Sequence, residues 1–473
     1  MEHGKQESER HREDGKRVTA SFRDPSGFVF TKDGVLYRHV NETYAKSYDA
    51  LMGSGLYEEL VRKGYLVPHR EVPPPSGAYK MLRPERIPFI SYPYEWCFSE
   101  LKDAALLTLK VQKLALKFGM TLKDASAYNV QFWNGKPILI DTLSFETYTE
   151  GAPWVAYKQF CEHFLAPLAL MAFTEVRLSQ LLRVSVHGIP LDLASKLLPW
   201  RSWFHGASFF HIHMHAKSQR RHAESTVRVR GGSFTRSAMD ELLKSLNSGV
   251  RSLRWKAAST EWGEYYGNTN YSASAANEKA RAVARFVAAA KPKMVWDLGA
   301  NDGTYSRVAS DAGITTIAFD IDPAAVEHGY LTVKEKKEER LLPLLLDLAN
   351  PSPALGWANA ERSSLAERGP ADMAFALALV HHLAITNNVP FGMMAEFFAG
   401  ICSTLIIEFV PKDDSQVERL LRNRADIFGG YTQERFEEAF AEQFTVRERY
   451  AIPGAKRLLY LMARRKTSDI PAR

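Results

Sequence analysis

The side chains in this chain that could do chemistry are aspartates delivered by apolar runs. VWDLGANDG, Val295 to Gly303, is a short apolar run ending in Asp297, followed by a turn in which Gly299 and Gly303 stand four apart. TYSRVASDAG then suits a helix, so the order is strand, glycine turn, helix. Glycines in such a turn let the main chain approach a ligand with no Cβ in the way, at the carboxyl end of a buried parallel strand. Seventeen residues past Gly303, ITTIAFDID carries Asp320, a carboxylate placed to accept both hydroxyls of a ribose. A third run, RLLPLLLDL, carries Asp347 to the neighbouring strand edge, where an adenine amino group would lie. No lysine-serine pair follows the glycines, which excludes a phosphate-cradling loop. Asn301 stands where dinucleotide binders keep a middle glycine; it tolerates left-handed backbone but has bulk.

DLGANDG, FDIDP, LLDLAN and ADMAFALALVHHL, taken in order, resemble the successive motifs of class I S-adenosylmethionine-dependent methyltransferases. The resemblance implies a seven-stranded α/β, Rossmann-like domain over residues 255–473 with S-adenosylmethionine as cofactor and no metal. It implies that Asp297, Gly299, Asn301 and Gly303 line the methionine and ribose. Asp320 would hold the ribose hydroxyls, with Ile321 beside it on the cofactor, and Asp347 with Leu348 would frame the adenine. In such families the segment before the first strand often folds over the cofactor, making Tyr271 and Lys279 lid candidates, with simple packing an equal alternative. Methyl transfer to a hydroxyl needs a base near the acceptor. His381 and His382, expected at the carboxyl end of the fourth strand, are candidates. Strand neighbours point opposite ways, so at most one of them faces the acceptor, and His382 is preferred. Glu408, ending the fifth strand, is a second candidate. The fourth strand lacks the Asn/Asp-Pro-Pro-aromatic sequence of amino methylators, so the expected acceptor is oxygen on a small hydroxylated or carbohydrate-like molecule.

A second constellation lies earlier, in TLKDASAYNVQFWNGKPILIDTLSFE. Asp124 and Asn129 are five apart on a loop, and a short hairpin then delivers Asp141. This is similar to the catalytic loop and metal-binding aspartate of protein-kinase-like folds, whose chemistry needs a base at the acceptor hydroxyl and two oxygen ligands for magnesium on ATP. By that resemblance Asn129 and Asp141 are metal ligands if the domain is active. The pattern departs from the family: Leu122-Lys123 replaces His-Arg, Thr142-Leu143 follows Asp141, and no glycine-rich loop or phosphate-pairing lysine is evident. Three readings stay open: an active phosphotransferase, a degenerate kinase-like scaffold for substrate binding or docking, and a turn-capping Asp124 with Asp141 merely ending a strand.

The elements that must position these groups divide the chain. Its 473 residues exceed one core. Residues 1–20 are polar enough to form a disordered tail, and 21–215 read as an α+β kinase-like domain. That domain opens with a hairpin around Lys32-Asp33-Gly34, an Asn41-capped helix, extended pieces at YLVPHREV and RIPFISYPYEW, and a long helix ending at Gly119. Residues 216–254 read as a basic linker and helix. From Lys217 to Lys256 ten lysines and arginines face three acids, so a nucleic-acid methyltransferase is an alternative reading, as is a bifunctional phosphotransferase/methyltransferase. His205, His211, His213 and His215 alternate as an extended strand would present them to one side, although their aromatic neighbours favour packing over a metal. Three well-separated cysteines, no apolar leader and no long apolar run point to a reducing, cytoplasmic setting without a membrane span. The net charge of +7 is permissive of an anionic partner. As a whole, a kinase-like front before this methyltransferase resembles bacterial proteins related to the NoeA nodulation methyltransferases.

Overall fold

The computed structural model describes residues 16–217, 234–256, 272–422 and 425–466. The chain divides into two compact units. Unit 1 comprises residues 1–256 together with 354–362, and unit 2 comprises 257–353 and 363–473.

Unit 1 opens with a five-stranded antiparallel sheet made of β1 (Lys16–Arg17), β2 (Gly27–Lys32), β3 (Val35–Val40), β4 (His69–Val72) and β5 (Lys80–Pro84), in the order β1-β2-β3-β5-β4. Asp33 and Gly34 both take positive φ, 51° and 76°, which turns β2 into β3 without splaying them. The chain is ordered earlier than its polar composition suggested: the Arg17 guanidinium lies 4.4 Å from the Phe28 ring centroid. Asn41 does not cap the following helix, because its side chain donates to Pro25 O instead. RIPFISYPYEW is not a strand; it carries only a short 3-10 turn, Pro93–Glu95, and β5 pairs in its place. The helix Phe98–Lys117 buries an apolar face that includes Leu101, Leu109 and Val111. It ends at Gly119 with φ 72°. Two hairpin-like pairs follow: β6 (Met120–Leu122) with β9 (Phe145–Thr147), and β7 (Val130–Trp133) with β8 (Lys136–Leu139).

The helix expected in the basic stretch, Arg236–Ser252, is an integral part of unit 1. Lys102 donates to the carbonyls of Arg251 and Leu253, Arg236 donates to Leu116 O, and Met239, Leu243 and Leu246 are buried. Burying each such leucine contributes roughly 1.5–3 kcal/mol, which holds the helix down despite its charged outer face. The rest of the basic stretch, 218–233, lies outside the described residues.

Unit 2 is built on seven strands: β10 (Met294–Leu298), β11 (Thr315–Asp320), β12 (Leu341–Leu345), β13 (Ala371–Ala376), β14 (Cys402–Phe409), β15 (Phe444–Ala451) and β16 (Leu458–Arg464). Their order is β12-β11-β10-β13-β14-β16-β15, parallel throughout except that β16 is antiparallel to both neighbours. The first three strands step outward to one side, and β13 returns to the other side of β10. The order therefore reverses between β10 and β13, and the carboxyl ends of those strands open the crevice where such sheets bind ligands. The helix Ala273–Ala290 covers one face through Ala282, Val283, Phe286 and Val287, which join Val295, Met373 and Phe375 in one core.

Candidate functional site

Asp297, Gly299, Asn301 and Gly303 surround the end of β10 as the spacing expects. Gly299 and Ala300 both donate from their main-chain nitrogens to Phe319 O at 2.9 Å, folding the turn back onto β11. Gly299 takes φ 79°, and a Cβ there would stand 3.3 Å from Leu379 Cδ1 in the turn after β13. The glycine thus serves both a left-handed backbone and a close approach of two strand ends. Asn301 also has positive φ, 52°, and its main-chain N–H donates to Asp320 Oδ2 at 2.7 Å. Asp297 is 1% exposed and accepts from Ser306 Oγ at 2.6 Å.

Asp320 ends β11 with its carboxylate buried. Its Oδ1 accepts the Asp322 N–H at 2.8 Å, and Asp322 in turn caps the helix Pro323–Lys336. Burial pushes the Asp320 carboxyl up to about 6 against the pull of these main-chain donors. Burial likewise pushes Asp297 up to about 7, although the Ser306 hydroxyl and Lys279 oppose it. Ile321, next to Asp320, is an apolar side chain left 59% exposed. Asp347 and Leu348 are half-buried just past β12, where Asp347 accepts the Ala349 N–H. The strand ends therefore bring together two buried carboxyls, a glycine turn and an uncovered apolar side chain. Tyr271 lies outside the described residues.

Four expectations change in the structure. His381 and His382 are not on β13, which stops at Ala376; they sit on a helical turn closed by the His382 N–H on Leu379 O at 3.0 Å. Strand alternation therefore says nothing about which one faces out. Burial separates them instead: His381 is fully enclosed with no hydrogen-bond partner for either ring nitrogen among the described residues, while His382 is half-buried above it, ring centroids 4.1 Å apart. Burial, with the Arg457 charge, lowers His382 to about 4, and burial, with the His382, Arg457 and Lys279 charges, holds His381 well below the ordinary imidazole value.

Glu408 is not an open carboxylate. It is 0% exposed and bound on several sides: Lys279 Nζ lies 2.6 Å from its Oε2, the Ala378 N–H donates to the same oxygen at 2.8 Å, and Arg457 Nη1 stands 3.8 Å from Oε1. Arg457 also makes a two-pronged bond to Asp414 at 2.8 and 3.0 Å. Lys279 is not in a lid. It is buried on the helix Ala273–Ala290 with its ammonium 4.4 Å from the Tyr305 ring centroid. Burial lowers its pKa while Glu408 opposes that. Ala378, held by Glu408, has φ 50°, so the network fixes the turn leading to the histidines. The roles of Lys279, Arg457 and Asp414 escaped the sequence reading because their pairings span 129 and 43 residues.

In unit 1, Asp124, Asn129 and Asp141 are brought together. Asn129 Nδ2 donates to Ser144 Oγ at 3.2 Å, and the Ser144 hydroxyl donates to Asp141. Asp124 accepts the Ser126 N–H at 2.9 Å, the turn-capping contact anticipated among the alternatives. Asp141 is also held by an ion pair with Arg38 on β3, a residue that sequence reading passed over. Burial would raise the Asp141 carboxyl, but the Arg38 guanidinium, the Ser144 hydroxyl and the Leu143 N–H together hold it below the usual range. Asp124 is raised by burial and by the Asp141 charge.

The histidine group is not an extended strand either, since Phe209–Met214 is a π-helical stretch. His211 bonds the hydroxyls of Tyr157 and Ser245, His213 those of Ser195 and Ser202, and His205 those of Ser208 and Ser252. Among the described residues no group of three or more His, Cys, Asp or Glu is arranged to hold a metal. No described helix is long and apolar enough to cross a membrane.

Across its length the chain is 37% identical over 461 residues to Nodulation protein NoeA of Rhizobium meliloti (strain 1021), spanning 95% of this chain and 96% of that protein. The chain belongs to the NoeA family. No protein-family model matches it. Solved structures similar to it include the magnesium protoporphyrin IX methyltransferase ChlM of Synechocystis PCC 6803 with bound SAH, at 17% identity and TM-score 0.31 over 43% of this chain and 93% of that one. Another is the N-methyltransferase NodS of Bradyrhizobium japonicum WM9, at 12% identity and TM-score 0.30 over 41% of this chain and 97% of that one. Unit 2 has the sheet order, glycine turn and strand-end aspartate that the sequence resemblance to the class I fold implies.

Proposed function

We propose that the enzyme uses S-adenosylmethionine to methylate a hydroxyl oxygen on a small hydroxylated or carbohydrate-like acceptor, in the cytoplasm. The observation that carries this reading is the pairing of a buried Asp320 carboxyl with an exposed Ile321 beside the Gly299 turn. The residues fit the cofactor's chemistry: a carboxylate for ribose hydroxyls, an uncovered apolar face for a ring, and main chain free to approach. Asp320 would hold the ribose, Ile321 and Leu348 would pack against the adenine with Asp347 at its edge, and Asp297, Gly299, Asn301 and Gly303 would line the remainder. When bound, the sulfonium offers a methyl group activated for in-line attack.

The chain's own part is to orient the acceptor and take its proton. His382 is the base in this reading. With its pKa lowered to about 4 it stays neutral at physiological pH, so its free imidazole accepts the hydroxyl proton as the new bond forms. His381 supports that ring from below. Glu408, first considered as a base, becomes the group that holds Lys279, Arg457 and the Ala378 turn in register. Unit 1 serves as a degenerate kinase-like scaffold for substrate binding or docking. The Arg38–Asp141 pair favours this over magnesium-dependent phosphotransfer, because the carboxylate that would grip the metal already has a cation.

Calorimetric titration tests both parts. S-adenosylmethionine should bind the purified protein, and Asp320→Ala should weaken it about 100-fold, as expected for two hydrogen bonds to a charged group. Magnesium-ATP should give no heat that Asp141→Ala removes. A folded protein that does not bind the methyl donor would refute the cofactor assignment.

A further inference from the structure

We propose that unit 1 carries a docking surface for an anionic lipid bilayer, built from residues 193–214. Monomeric surfaces seldom leave large apolar side chains uncovered in one place, and patches that do so mark interaction sites. Here Trp200 is 76% exposed, Phe204 81% and Phe210 62%, with Trp203 and Met214 also exposed. They lie on one short segment and form two ring-to-ring groups. Trp200 and Phe204 meet edge to face at 5.7 Å, and Trp203 reaches Phe210 through Phe209 at 6.1 and 5.0 Å.

The patch is also held in shape. Trp203 stacks on His213 at 4.2 Å, and that buried imidazole is fixed between the hydroxyls of Ser195 and Ser202. This gives a purpose to His213, which the methyl-transfer reading leaves unused: it is a buttress beneath Trp203.

Charge selects the occupant. Among the described residues from Leu193 to Lys217, Lys196, Arg201 and Lys217 are exposed, and the one neighbouring acid, Asp192, lies 4.0 Å from Lys196, which leaves the patch bordered by net positive charge. Trp and Phe settle at the headgroup level of a bilayer, and neighbouring cations are drawn to its anionic leaflet. A second copy of the chain would instead bring the same cations face to face across a two-fold axis, which opposes self-association through this patch. With no described helix able to cross a membrane, the patch would lie on the surface.

The test is co-sedimentation of the full chain with vesicles of phosphatidylcholine alone or mixed with phosphatidylglycerol. The protein should pellet with the mixed vesicles, not with the neutral ones, and salt should release it. Trp200→Ser with Phe204→Ser, two solvent-facing sites with little to lose in folding, should weaken binding at least about tenfold, because each removes buried hydrocarbon. Lys196→Glu with Lys217→Glu should weaken it by more than about 20-fold, since each cation near an anionic leaflet is worth about fivefold. Absence of binding to the mixed vesicles overturns the proposal, as does equal binding by the aromatic variant with an unchanged melting temperature. A wild-type dimer that the aromatic variant converts to monomer, with no vesicle binding, would assign the patch to a second copy and overturn it too.

Discussion

Asp141 in unit 1 and Asp320 in unit 2 both follow a short strand and both are buried, yet their surroundings drive them in opposite directions. Asp141 is matched by the Arg38 cation and the Ser144 hydroxyl and is held below the usual carboxylate range. Asp320 meets main-chain donors alone, and burial raises it to about 6. The difference separates a carboxylate satisfied by its own fold from one left for something else to complete. Sequence spacing gives both the same appearance, a strand-end aspartate in a glycine- or asparagine-containing context. Only the long-range partner distinguishes them, and Arg38 stands 103 residues from Asp141.

Glu408 belongs with Asp141 in this comparison, although it lies in unit 2, and breaking it should have the largest effect. Glu408→Gln leaves Lys279 and Arg457 buried beside a neutral amide. An uncompensated buried charge of this kind costs about 3–5 kcal/mol, so the urea midpoint of unit 2 should fall sharply. Adding Lys279→Met should recover much of the loss, because an apolar replacement removes the stranded charge. If Glu408→Gln were neutral for stability and removed only turnover, Glu408 would be a base after all.

The matching experiment in unit 1 is smaller. Arg38→Met exposes the Asp141 carboxylate to burial without its cation and should destabilise unit 1 by about 1–3 kcal/mol, with Arg38→Met/Asp141→Asn less affected than the sum of the two single changes. If Arg38→Met instead created magnesium-ATP binding, the arginine would be a plug on a working site, and the kinase-like reading would move from scaffold to enzyme.

Much of unit 2 was legible because its signals are local. A buried parallel strand is a run of apolar residues, a left-handed turn asks for Gly299 and Asn301, and both features lie within a few residues of each other. The histidines were misplaced for the same reason. VHHL continues the apolar character of β13, but Ala378 takes φ 50° and ends the strand's geometry two residues after Ala376, so the pair falls on a helical turn. Nothing in the local text announces that, because the bend is held by Glu408, thirty residues on. Unit 1 was less legible throughout. Its short strands lack strong alternation, β5 was missed in a stretch following PPPSG, and its histidines read as a strand although His205, His211 and His213 are held by hydroxyls from segments as distant as Ser252, Ser245 and Ser195.

The mildest prediction concerns pH, and it sharpens the comparison without altering the protein. Asp297 and Asp320 have folded-state values raised to about 7 and about 6 from an ordinary 3.8, so the native state binds more protons than the unfolded chain between those limits. The stability these two carboxyls contribute should therefore fall as pH rises from about 4 to about 7, opposed below about 6.5 by the buried, lowered His381 and His382, and Asp320→Asn should remove the Asp320 share of the fall. Binding of the methyl donor should run the other way, since ribose hydroxyls and a cationic ligand favour the ionised carboxylates: affinity should improve about tenfold from pH 5.5 to 7.5, roughly one unit of linked titration. His382, lowered to about 4, should leave no imidazole limb near 6.5 in the rate of methyl transfer. Asp141, ionised by its arginine, should add no such fall to unit 1, whose own response over that range comes from the buried His69, His163 and His211, lowered in the fold, and runs the other way. A donor affinity that is flat with pH, measured by titration at constant ionic strength, would mean that Asp297 and Asp320 are as fully satisfied as Asp141, and the contrast between the two units would fail.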